Sequence, residues 1–155
     1  MGTLAMLTTD EVIDRVLGTE TPGHGDVREQ LRAARDAAWA ATSPRLLELC
    51  RVRIAMLLGC DAETEARTPG TEVDDELIRS VAAWPTDRGF SAADRACLAF
   101  TEHYVMDVAS LTDQAVTDVR EHLADEGVQN FVSALLIVEQ RIRLRLAWDR
   151  LMGGR

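Results

Sequence analysis

Residues 43 to 67 read SPRLLELCRVRIAMLLGCDAETEAR, and this run decides the fold. Ser43 is a natural N-cap, and Pro44 falls at the first helical position, where its missing N–H costs nothing. From Leu46 to Leu58 apolar residues occur nearly all round the helix, the pattern of a central element covered on every side. Gly59 is the expected stop, and Cys60 then opens a short helix that ends by Pro69-Gly70. Cys60 is followed three residues later by Glu63 rather than by a second cysteine.

Outward from this run the chain is a string of capped helices. On the N-terminal side, TTDE starts a short helix over about 9 to 18, and GTETPGHGD forms a turn-rich loop. A helix over about 27 to 41 leads into the central run. The segment 1 to 25 is expected to be a peripheral helix and loop. On the C-terminal side, a helix is expected from Thr71 or Glu72 through Trp84, closed by Pro85. Ser91 with Asp94 resembles a helix cap and starts a helix to about Asp107. Two more follow, over about 112 to 124 and 126 to 152. RIRLRLAW alternates in the strand manner, but it continues a helical run with nothing to break it before Gly153. The expectation is one all-α domain, residues 1 to 155, of about seven helices.

Composition narrows the function classes. The net charge of -9 argues against nucleic acid or an anionic membrane surface as partner, and the basic residues are all arginine, which suits bidentate carboxylate pairing. No apolar run is long enough for a membrane span, and no signal peptide is read, so a cytoplasmic protein is expected. Three cysteines at irregular spacing make no disulfide framework. His24, His103 and His122 pair with no other ligand at zinc-like spacing, so no metal is expected, and no nucleotide or phosphate motif points to a cofactor.

From Ala40 to Leu146 the chain resembles the carboxymuconolactone decarboxylase and alkyl hydroperoxidase D (AhpD-like) superfamily. The resemblance is carried by SPRLLELCRVRIAMLLGC, by DDELIRSVAAWPTDRGFSAADRACLAFTEHYV and by LTDQAVTDVREHLADEGVQNFVSALLIVEQRIRL. It implies an AhpD-like helical bundle, homo-oligomeric as a dimer, trimer or hexamer. The peroxidase branch of that family carries a glutamate, a Cys-x-x-Cys pair beginning twelve residues later, and a histidine four residues after the second cysteine. Glu48 and Cys60 fall on the first two positions; Glu63 and Arg67 replace the second cysteine and the histidine.

The resemblance thus implies a peroxiredoxin-type antioxidant activity that is weakened or lost. Without a partner thiol, Cys60 cannot close the internal disulfide, and Asp61, Glu63 and Glu65 oppose a thiolate. If redox chemistry remains, Cys60 is its nucleophile and Glu48 its base. One alternative is a cysteine-independent acid–base enzyme on a small carboxylate or lactone, using Glu48, Glu63, Arg67 or His103. Another is a non-catalytic oligomer that binds a small molecule. Glu63 and Arg67 stand at i and i+4 and are expected to pair, shared with Glu48, whose apolar helix demands a partner for its charge. Cys50 and Cys97 read as core. Arg141, Arg143, Arg145 and Arg150 read as structural or interfacial rather than as an anion site, with Glu139–Arg143 and Arg145–Asp149 as helical ion pairs.

Overall fold

The computed structural model describes residues 7–18 and 21–153, and these are all-helical. At its centre is α3 (Pro44–Leu58), capped as its sequence dictates: Ser43 Oγ accepts from Leu46 N–H, and Pro44 opens the first turn. Nine of its residues are buried, among them Leu47, Leu49, Val52 and Ile54 at 0% exposure. Gly59 ends it with φ 70°, a left-handed conformation that glycine adopts without strain. The chain then turns at Cys60 into the five-residue α4 (Asp61–Glu65).

Around α3 pack α6 (Ala92–Met106) and α7 (Asp113–Gly153), while α1 (Thr9–Val16) and α2 (His24–Ala41) lean on α7. The α6 cap is the expected one, Ser91 and Asp94 bonding reciprocally in a capping box. Phe131 of α7 meets Phe100 of α6 with ring centroids 6.0 Å apart, joining the two helices across the core. The last stretch was expected as two helices dividing near residue 125, and α7 is interrupted at Ala124, where φ is 55° and ψ 173°. The expected pairs Glu139–Arg143 and Arg145–Asp149 both form along it. Among the described residues, no helix is long and apolar enough to cross a membrane.

One expectation is corrected. The helix read from Thr71 or Glu72 to Trp84 is instead α5 (Asp75–Arg79) followed by a 3₁₀ turn over Val81–Ala83. Glu72 has φ 55°, and the working cap is Asp74, whose carboxylate accepts from Glu76 N–H. The N-terminal helix is tied firmly to the bundle. Val12 and Ile13 are fully buried, and Arg145, itself buried, donates to the Leu7 carbonyl. A capping box between Thr8 and Glu11 fixes where α1 starts and therefore where its first turn points.

Candidate functional site

α3 and α4 place an arginine between two glutamates. Arg51 donates from Nε to Glu48 Oε2 at 2.8 Å and from Nη2 to Glu48 Oε1 at 2.7 Å, a two-pronged contact within α3. Its Nη1 reaches Glu63 Oε2 at 2.8 Å and the Glu63 carbonyl at 2.6 Å, and Nη2 also meets the Ala66 carbonyl at 2.7 Å. Thr68 N–H donates to Glu48 Oε1, and the Thr9 hydroxyl of α1 donates to Glu63 Oε1. Burial alone would push the Glu48 carboxyl up, but the Arg51 guanidinium and the Thr68 N–H hold it below the usual range. Arg51 in turn is held in its charged form by both glutamates despite burial.

The expected partner of Glu63 was Arg67, and the structure assigns that place to Arg51. Arg67 turns away from Glu63: its Nε pairs with Asp75 at 2.9 Å, and Nη1 caps the Thr64, Glu65 and Ala66 carbonyls. The reason is geometric. A five-residue helix exposes its last carbonyls, and an arginine just past its end satisfies them. Glu63 meanwhile faces inward, where Arg51 already stands beside the buried Glu48. Arg51 lies at i+3 from Glu48 on one apolar helix, a signal the sequence carried and the reading passed over.

Cys60 is the N-cap residue of α4 and is 2% exposed. Burial pushes its thiol up, the Glu63 carboxylate adds to that, and the Glu63 N–H and Arg145 pull the other way without prevailing. Cys50 and Cys97 are free, fully buried thiols in the core. Desolvation raises both, Cys97 to about 12. His103 lies in the last turn of α6 with Nδ1 3.1 Å from Ser110 Oγ.

In front of the Glu63–Arg51 wall lies an open cavity of about 560 Å³, bordered by α1, α2, α7 and the 66–69 segment. Glu63, Arg67 and Arg51 line it; Glu48, Cys60 and His103 do not. Of the five sequence candidates, then, Glu63 and Arg67 reach the cavity, Glu48 stands behind Arg51, and Cys60 and His103 lie elsewhere. Trp39, Ile137, Val138 and Ile142 make its walls apolar, and Asp10, Arg35 and Arg141 bring charge from three helices. The sequence reading passed over Asp10 and Arg35 and took Arg141 as structural or interfacial; the three are distant in sequence and follow no motif.

The all-helical arrangement matches the AhpD-like helical fold through its likeness to a solved structure. It is similar to the crystal structure of a protein of unknown function from Agrobacterium tumefaciens, proposed as the antioxidant defence protein AhpD. The TM-score is 0.69 at 18% identity, over 79% of this chain and 88% of that one. No family model matches the chain, and no curated protein does.

Proposed function

We propose that this chain is an AhpD-fold protein that works without thiol peroxidase chemistry and uses the cavity beside α4 to bind a small molecule. The observation that carries this reading is the Glu48–Arg51–Glu63 ion triad. Glu63 occupies the position of the second thiol in the family's pattern, and here it is committed to Arg51 and to the Thr9 hydroxyl. A sulfenate on Cys60 would need a resolving thiol, and the side chain three residues on offers a carboxylate instead. Cys60 is also buried, with its thiol shifted away from the thiolate. The cavity, by contrast, has the size and mixed lining of a small-molecule site.

The test is hydroperoxide turnover in the presence of a dithiol reductant, comparing the wild-type chain with Cys60→Ala. Equal, background-level consumption is expected. Turnover that disappears in Cys60→Ala would overturn the reading and restore the antioxidant one.

A second reading keeps one supporting observation. Glu63 lines the cavity, and its carboxylate is only 13% exposed, a setting for acid–base work on a small carboxylate or lactone. That reading requires turnover of such a lactone that survives Cys60→Ala and is lost in Glu63→Gln.

A further inference from the structure

α1 delivers a carboxylate to two arginines that come from different helices. Asp10, in the first turn of α1, accepts from Arg35 of α2 on Oδ2 and from Arg141 of α7 on Oδ1. The two guanidiniums are not equally satisfied. Arg35 also donates to Asp36 through Nε and Nη2, at 3.0 and 2.7 Å. Arg141 is the deeper of the two, with its side chain 12% exposed, and it meets Asp10 through Nη2 alone. Its Nη1 is closed off from solvent and meets no acceptor among the described residues. A buried cationic N–H without an acceptor is costly, and a planar guanidinium is shaped to give both terminal nitrogens to one carboxylate. Asp10, anchored to α1 and shared with Arg35, uses only one of them.

The surroundings say what kind of carboxylate would use both. Glu63 shares Arg51 with Glu48, and Asp36 shares Arg35 with Asp10, so Arg141 is the buried cation with a donor left over, and the surrounding carboxylates disfavour a multiply charged anion. Trp39, Ile137, Val138 and Ile142 line the same cavity and offer an apolar wall. Such a wall suits hydrocarbon and gives a phosphate or a polyanion nothing to bond.

We propose that the cavity binds an amphipathic small-molecule monocarboxylate. Its acid group takes Arg141 in place of Asp10 and accepts from both terminal nitrogens, while its hydrocarbon part lies along Trp39, Ile137, Val138 and Ile142. Asp10 is then the chain's own stand-in for the ligand and its competitor. This rests on the reading of the cavity as a binding pocket and names the ligand class and the residue that selects it.

Octanoate and octanol, which share a hydrocarbon tail, separate the two levels when titrated calorimetrically into the full-length protein. Octanoate is expected to bind at least about tenfold more tightly than octanol. Asp10→Asn weakens the internal competitor and should tighten octanoate by about tenfold, leaving octanol unchanged. Arg141→Gln should bring octanoate down to the octanol level. Where Arg141→Gln does not fold, Arg141→Lys keeps the charge and loses the fork, and should weaken octanoate alone. Equal affinities for octanoate and octanol in the wild type overturn the carboxylate proposal and leave the binding-pocket reading standing. Absence of binding by either overturns both. Octanoate affinity unchanged in Arg141→Gln, or in Arg141→Lys, overturns the assignment to Arg141.

Discussion

Two arginine–carboxylate clusters face one cavity, and they are built differently. In the first, Arg51 sits between Glu48 and Glu63 with all three of its nitrogens engaged, by two carboxylates and two backbone carbonyls. In the second, Asp10 spans Arg35 and Arg141, and one nitrogen of Arg141 is left over. A fully matched buried cluster has nothing further to offer a ligand, and breaking it leaves an unpaired charge in the interior. An undermatched cluster beside a cavity holds an unused donor, which in the proposal a ligand reaches by displacing Asp10. The first is a wall, and the second is a grip.

The largest expected effect falls on the wall. Arg51→Ala leaves Glu48 at 0% exposure without its cation and should destabilise the chain by about 3–5 kcal/mol in urea unfolding. A loss under about 1 kcal/mol would mean that the wall is as dispensable as a surface pair. Acid should act on the same cluster. The Glu48 carboxyl is held below its ordinary value in the folded chain, as is Asp94, which burial would raise but Arg45 and the Ser91 cap lower. A depressed carboxylate contributes stability that is complete above its unfolded value, about 4.3 for Glu and 3.9 for Asp, and that is lost as pH falls through the lower folded value. Unfolding free energy should therefore drop below about pH 4.3, and Glu48→Gln should flatten that drop.

Smaller effects are expected on the grip. Asp10 is 37% exposed, so Asp10→Asn should cost no more than about 1 kcal/mol by thermal or urea unfolding. A loss as large as that of Arg51→Ala would erase the distinction between the clusters. The smallest change belongs to Arg67, whose pair with Asp75 is exposed on both sides. Arg67→Ala should move stability by about 0.5 kcal/mol or less.

How much of this was written in the sequence depends on the range of each contact. The central helix and the α6 cap were legible, because Ser43-Pro44, Gly59 and Ser91 with Asp94 act within one turn of themselves. The 71–84 stretch misled, since a helical pattern there is cut by a residue with positive φ at Glu72 and restarted by the Asp74 cap. The need of Glu48 for a partner was also legible from its apolar helix. The choice of Arg67 over Arg51 failed because Arg67 follows the end of α4, where carbonyls compete for it. The Asp10–Arg35–Arg141 cluster was hidden for a different reason. Its members lie on three helices and are brought together only when α1 packs against α7, which the buried Val12 and Ile13 accomplish.

The central claim is that the thiol has left the chemistry of this site, and the reactivity of Cys60 tests it most directly. Alkylation of Cys60 in the folded protein, followed across pH by mass spectrometry, should be slower than that of the same cysteine in the unfolded chain, with its pH midpoint moved upward. Rapid alkylation at neutral pH, with a midpoint below that of an ordinary thiol, would contradict it.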